Sequence, residues 1–266
     1  MSTLVGYKDL PQEINEQINK VIHVWKEQVS DKLIGVYLHG SISLEAFHPE
    51  SGDIDILVVV KDSLTVEEKL SIAKDIIEID GKPRPIEISA IKEEDAKNWK
   101  TPGNCVFHYS DFWTEKYQKR FENSDEKVYV VDQEFPDADV TSYIRQIKQC
   151  GIVLYGRNIE ETFADVSDED FWSAISADID DYDFSDYNPR YFASNILILG
   201  RILSFKVERR ILSKYEGGLW MIENIPQHLK HIPHLAMKIW FEGETYTFAQ
   251  NELEELRDYL IAKIKE

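Results

Sequence analysis

Two cysteines, Cys105 and Cys150, are all that this chain of 266 residues carries. They lie far apart, without the spacing of a zinc or redox motif, and read as free thiols of a reducing compartment. No apolar run approaches the roughly 20 residues needed to cross a bilayer. The start, Met1 to Lys8, lacks the basic-then-apolar pattern of a secretion signal. The expected location is therefore the cytoplasm, with no membrane partner. Basic residues are scarce as well: 30 Lys and Arg stand against 49 Asp and Glu, a net charge of −19. Such an excess opposes a phosphate backbone over a broad surface, and no basic stripe is present to guide a strand, so nucleic acid is not an expected partner. A surface of this sign attracts cations, although solubility alone also accounts for it. Glycine-rich Walker and Rossmann patterns are missing, which disfavours kinases of those types.

What is present is an ordinary globular composition, 43% hydrophobic, 30% charged and 12% aromatic. Apolar residues at Ile14, Ile18, Val21, Ile22 and Trp25 predict a helix over 10–29. Short apolar runs predict buried strands at 33–38 and 54–60, and 85–91 alternates as a third. A helical pattern returns over 64–79. Further strands are expected at 106–112 and 127–131, a helix at 139–149 and an extended piece at 152–155. Beyond Gly156 helical periodicity dominates, over 168–181, 190–214, 219–224, 234–240 and 250–265. No internal repeat is visible. The expected fold is α/β (α+β): a domain with a mixed sheet over 1–156, then an all-helical domain over 157–266.

One constellation carries chemistry. Gly40-Ser41 follows the first strand, and Asp53-Ile54-Asp55 opens the second. Glycine lets the backbone pass close to a phosphate, and Ser41 offers a hydroxyl and an amide to phosphate oxygens, aided by any helix that starts there. Two residues apart on a strand, Asp53 and Asp55 point to the same face. Paired carboxylates bind hard divalent cations, typically magnesium. Glu87 interrupts the apolar strand 85–91, where a carboxylate is costly unless something cationic pairs with it. Beside the Asp53–Asp55 strand it completes a cluster able to hold metal and to take a proton from an attacking hydroxyl.

With its Gly-Ser, spacer and Asp-hydrophobic-Asp, the chain resembles the nucleotidyltransferase superfamily. More closely, it is similar to the aminoglycoside adenylyltransferases that act on spectinomycin and streptomycin. The segments 34–41, 53–60 and 84–87 carry most of the likeness, with weaker echoes at 152–156, at 199–202 and around Trp220. The resemblance implies a nucleotidyltransferase domain followed by a helical domain that binds substrate and nucleotide, with ATP as co-substrate. It implies that Asp53 and Asp55 hold magnesium against the ATP phosphates. Glu87 would be the catalytic base, touching both metal and substrate. Gly40, Ser41, Ser51, Arg201 and Lys214 would contact the nucleotide phosphates, with Trp240 near the nucleotide. Cations at positions 201 and 214 make physical sense, because an acidic protein must bring positive charge to a triphosphate. Asp183 and Asp186 would meet the ammonium groups of a small cationic aminoglycoside or aminocyclitol. The family's streptomycin-recognising members place a tryptophan in the stretch matching 182–191, where this sequence has none, so spectinomycin is favoured over streptomycin. A monomer is expected.

The expected function is thus magnesium- and ATP-dependent O-adenylylation of a drug hydroxyl with release of pyrophosphate. Two other readings of the same residues are a nucleotidyltransferase that modifies a protein and a non-catalytic nucleotide-binding regulatory module. Among remaining features, His228, His231 and His234 are spaced by three, yet Pro226 and Pro233 flank them and a surface or interdomain role is expected. His39, next to Gly40, reads as a residue packed under the phosphate turn or as a hydrogen-bonded core histidine. Trp99, Phe107, Tyr109, Phe112 and Trp113 read as a packing cluster.

Overall fold

The short apolar runs do become the centre of a sheet. In a computed structural model, which describes residues 4–177, 179, 182 and 188–266, the strands are β1 (Leu33–Leu38), β2 (Ile54–Val60), β3 (Ile86–Lys92), β4 (Gly103–Tyr109), β5 (Phe135–Asp137) and β6 (Ile152–Gly156). They form one mixed sheet in the order β5-β4-β3-β2-β1-β6. Only β2 and β3 run parallel to each other. A parallel pair needs a crossover, and the helix over 66–79 supplies it. The helices of this part are α1 (Gln12–Val29), α2 (Gly40–Ser43), α3 (Val66–Ile79), α4 (Glu93–Lys97), α5 (Asp111–Glu122), α6 (Tyr129–Asp132), α7 (Asp139–Cys150), α8 (Ile159–Thr162) and α9 (Asp168–Ser176). Thr65 and Glu68 form a reciprocal capping box that starts α3.

Register decides which face carries what. Val58, Ala90 and Phe107 share one face, and Trp25 of α1 meets Phe107 edge-on at 5.4 Å. Tyr117 of α5 packs on Phe107 and Tyr109 and donates to the His108 carbonyl at 2.6 Å. The opposite face presents Tyr37, Asp55, Glu87, Ser89 and His108. Tyr37 packs edge-on against Phe163 and hydrogen-bonds Thr162 and the Arg157 carbonyl. With both faces covered, β2 can be continuously apolar after Asp55.

The second part holds α10 (Pro189–Glu208), α11 (Lys214–Asn224), α12 (His231–Glu242) and α13 (Gln250–Lys265), with α10 packed against the other three. The two compact units are Leu4–Ala174 and Ile175–Glu266. That division comes later than the change of sequence character at Gly156. The segment after β6 is tied back to the sheet unit by Tyr37 with Thr162, by the Ala164 amide on the Ala96 carbonyl, and by Arg145 with Asp168 at 2.7 Å.

Several elements differ from their sequence expectations. Residues 127–131 are not a strand: 129–132 form the single turn of α6, and Asp132 accepts from the Val128 amide across it at 2.8 Å. The strand expected to reach Phe112 stops at Tyr109, because Ser110 is the N-cap of α5. Phe112 is consequently 69% exposed rather than part of a packing cluster. The short edge strand β5 carries no apolar run that would have announced it. The helix expected to reach Lys214 ends at Glu208, where Arg209 turns left-handed, and Ser213 with Glu216 opens α11 through a second capping box. Pro233 lies inside α12, in the first turn, where the missing N–H would have had no helical acceptor. His228 and His231 are exposed and meet Glu255 at 2.9 Å and Glu252 at 3.5 Å. Cys105 and Cys150 are not joined in a disulfide. Among the described residues no helix is long and apolar enough to cross a membrane.

The entry of β3 is fixed from α1. Buried Gln17 donates to the Ile79 and Arg84 carbonyls at 3.1 and 2.6 Å and accepts from the Arg84 amide at 3.0 Å. Asp80 accepts from the Ile86 amide at 2.8 Å and from Tyr109 at 3.0 Å. Removing the Gln17 amide leaves buried backbone groups unpaired, so Gln17→Leu is expected to destabilise the protein by about 1–3 kcal/mol. Urea unfolding checks this, as a lower midpoint at an unchanged slope.

Candidate active site

The parallel register places Asp55 directly beside Glu87. Asp53 stands just ahead of β2, two residues before Asp55 and therefore on the same side. One oxygen from each of Asp53, Asp55 and Glu87 falls within 4.8 Å of the others, and among the described residues this is the only such group of three or more His, Cys, Asp or Glu. Asp53 is exposed, while Asp55 and Glu87 are half-buried. Arg84 fastens the approach: its side chain donates to the carbonyls of Gly52 and Glu50, each at 2.6 Å. This links the start of β3 to the loop that delivers Asp53.

Gly40 closes the site from the end of β1. Its φ is +65°, and a Cβ there would come within 1.6 Å of the Asp55 carboxylate. Glycine is thus required twice, by conformation and by the close approach of Asp55. The His39 amide donates to the Asp55 carbonyl at 3.0 Å, so the turn and the carboxylate strand stay in contact. The helix that begins here, α2, is a single turn starting at Gly40 itself, so anion binding at this point depends on individual amides rather than on a long macrodipole. The Ser41 hydroxyl is buried and has no hydrogen-bond partner among the described residues. An orphaned hydroxyl is costly in a folded protein and suits a site completed by a polar ligand. Ser51 differs: its hydroxyl bonds His48 Nδ1 at 3.0 Å.

The surroundings of Glu87 perturb its carboxyl strongly. Burial is the first cause and pushes its pKa up to about 7. A hydrogen bond from Tyr143 opposes the rise, while Asp53, Asp139 and Asp137 add to it. Tyr143 donates to Glu87 Oε1 at 2.9 Å, and its ring stacks on His39 with centroids 4.4 Å apart. Burial pushes His39 down to about 3, so the imidazole is neutral at physiological pH. Gln146, on the same helix as Tyr143, donates to the Gly40 carbonyl at 2.8 Å and to Ser43 at 3.0 Å. Sequence reasoning missed Tyr143 and Gln146. The one available signal was a polar residue on the buried stripe of an amphipathic helix, beside Ile144 and Ile147.

Three carboxylates crowded beside a glycine turn suit a hard divalent cation, which relieves their repulsion and accepts only oxygen ligands. The donor set therefore fits magnesium.

The helical unit gathers its own sequence-marked residues. The Lys214 ammonium lies 4.0 Å from the Trp240 ring, and the Arg190 guanidinium, which the sequence did not flag, lies 4.6 Å from it. Lys214 is the first residue of α11, held by the Ser213 cap. Arg201 donates to the Leu212 carbonyl at 2.6 Å, and its aliphatic part packs where a side chain on Gly217 would stand. Asp183 and Asp186 lie outside the described residues.

Comparison with known proteins follows the same two parts. Residues 19–111 match the family model described as "Polymerase beta, Nucleotidyltransferase", and residues 161–263 match "Aminoglycoside adenylyltransferase, C-terminal domain". The chain is 27% identical to a spectinomycin 9-adenylyltransferase of Enterococcus faecalis, over 94% of this chain and 96% of that one. It is 22% identical to an aminoglycoside (3'') (9) adenylyltransferase of Escherichia coli, over 95% of each. The crystal structure of an enterococcal spectinomycin adenyltransferase, AAD(9), with ATP and spectinomycin superposes with a TM-score of 0.80 at 25% identity, covering 95% of this chain and 99% of that one. Both family models are matched in chain order and the relatives align over nearly the full length, so the chain carries a nucleotidyltransferase domain followed by an aminoglycoside adenylyltransferase C-terminal domain, and it is an enzyme.

Proposed function

We propose that the protein transfers the adenylyl group of ATP to a hydroxyl of an aminocyclitol antibiotic, with spectinomycin favoured over streptomycin. The observation that carries this reading is the placement of Glu87 beside Asp55 and Asp53, next to the Gly40–Ser41 turn. The names of the relatives support the substrate class, and ATP and spectinomycin in the similar crystal structure support the pair of ligands.

In this reading Glu87 takes the proton of the substrate hydroxyl. The freed oxygen forms a bond to the α-phosphorus, and the bond from that phosphorus to the pyrophosphate oxygen breaks, with pyrophosphate keeping the electron pair. A pKa near 7 suits a group that must accept a proton at neutral pH. A divalent cation held by Asp53, Asp55 and Glu87 would supply charge neutralisation for the triphosphate. Ser41 and the amides of its turn would receive phosphate oxygens, with Gly40 leaving them room and Ser51 close behind in the loop. Arg201 and Lys214 would bring positive charge to the phosphates and Trp240 a face for the nucleotide. Asp183 and Asp186 would pair with the ammonium groups of the drug. Most of the rate enhancement would then come from positioning and electrostatics.

Pyrophosphate release from ATP and magnesium, screened against spectinomycin, streptomycin and other aminoglycosides, tests the reading. Release with spectinomycin is expected, and its absence with every drug would turn the assignment toward a protein target. Glu87→Gln is expected to lower kcat by about 10²- to 10⁴-fold while leaving ATP affinity within a few-fold, as steady-state kinetics and calorimetry would read. Equal activity in that variant removes Glu87 from the chemistry.

The raised pKa sets a sign for pH dependence. Below about 7 the free Glu87 is protonated and must lose its proton to ligate a cation, so divalent affinity falls as pH falls. Calorimetry with manganese, in buffers of different ionisation enthalpy, is expected to show up to one proton released near pH 6 and almost none above pH 8. Asp53→Asn removes one like charge beside Glu87, so the release shifts to lower pH and overall affinity drops.

A further inference from the structure

We propose that α7 braces both halves of the site, with Tyr143 positioning the base Glu87 and Gln146 holding the Gly40–Ser43 turn in the shape that receives the triphosphate. The inference rests on the adenylyl-transfer reading and adds two positioning residues to it.

Tyr143, Gln146 and Cys150 are spaced by three and four, so they share one helix face. Each side chain meets the catalytic segments. Tyr143 occupies one oxygen of Glu87, and among the described residues no other donor reaches that carboxylate. Its ring lies at 25° to the His39 ring, which is itself buried at the junction of β1 and the turn. A neutral platform below and a carboxylate ahead leave the phenol one orientation. A carboxylate so fixed is held as a base must be, since an error of about 1 Å in a reacting group costs on the order of 10²-fold in rate.

Gln146 acts one turn further on. It is buried, and its amide reaches the Gly40 carbonyl and the Ser43 hydroxyl, while Ser43 itself donates to Gly40 at 3.0 Å. These bonds close a small network on the residue that carries the left-handed φ. The Cys150 thiol extends it, 3.6 Å from Ser43. The other side of α7 is anchored separately. Arg145 donates to the Val166 carbonyl and to Asp168, each at 2.7 Å, and Lys148 pairs with Asp165 at 3.0 Å. The helix therefore has a seat independent of the site, and losing one bond to Glu87 or to the turn should not displace it.

Each residue then has its own kinetic signature. Tyr143→Phe keeps the stacked ring and loses only the donated bond. It is expected to lower kcat by about 10- to 100-fold with the ATP dissociation constant within about twofold. Gln146→Met keeps the volume and frees the turn. Its ATP dissociation constant is expected to rise about tenfold, the size of one hydrogen bond, with kcat changed by less than about threefold. ATP binding is read by calorimetry without drug, turnover with spectinomycin, and folding by thermal melting. Should Gln146→Met fail to fold, Ser43→Ala breaks the same network from the turn side and carries the same expectation. Wild-type kinetics in Tyr143→Phe, or parallel losses of kcat and affinity in both variants, would overturn the proposal. A wild type that binds ATP yet modifies no drug overturns the transfer reading and the Tyr143 assignment with it. In that case the ATP affinity of Gln146→Met decides the turn.

Discussion

Like charges held together against their repulsion are the constraint on which the sheet unit turns. Asp55 and Glu87 face each other across a parallel strand pair, and Asp53 joins them from the loop. Nothing in the covalent chain favours that crowding, and the rise of Glu87 toward neutral pH records its cost together with that of burial. The surroundings are arranged to hold the crowding rather than relieve it. Gln17 and Asp80 fix where β3 begins, and Arg84 ties that beginning to the loop before Asp53. Gly40 yields the space that the Asp55 carboxylate occupies. The apolar remainder of β2 and β3 is buried on both faces, so neither strand can slide without exposing it.

Charge at the site also explains how a protein of net −19 can handle a triphosphate. Its acidic excess suits a cationic substrate, whereas the nucleotide needs positive charge supplied locally. In the sheet unit that charge would come with the divalent cation, because the carboxylates offer only acceptors. The helical unit supplies cations of its own, with Lys214 and Arg190 on Trp240 and Arg201 packed beside α11. Stacked on an aromatic face, such cations lose little configurational freedom when an anion arrives.

Much of this arrangement was legible in the residues alone. Periodicity placed β1, β2 and α13 with their observed ends, and it located α1, α3 and α7 to within a few residues. The Gly-Ser turn and the two aspartates declared themselves because a glycine after one buried strand and paired acids on the next have few structural uses. Local choices at helix starts account for most misplacements. Residues 129–132 form a helical turn bridged by Asp132, Ser110 ends β4, and Ser213 starts a new helix where periodicity suggested a continuous one. These are local decisions at helix starts, which outweigh the weak preference of a few apolar residues.

The sequence by itself determined that Asp53 and Asp55 share one side, because strand residues two apart face the same way, and it made a glutamate inside an apolar strand conspicuous. Only the tertiary structure decided that Glu87 stands in register with Asp55, since strand order and offset are set by the crossover helix and the packing of both sheet faces. It alone brought Tyr143 to Glu87 and Gln146 to the Gly40 turn. They lie 56 and 106 residues away from Glu87 and Gly40 along the chain, and no local pattern can announce a contact made by folding across that distance.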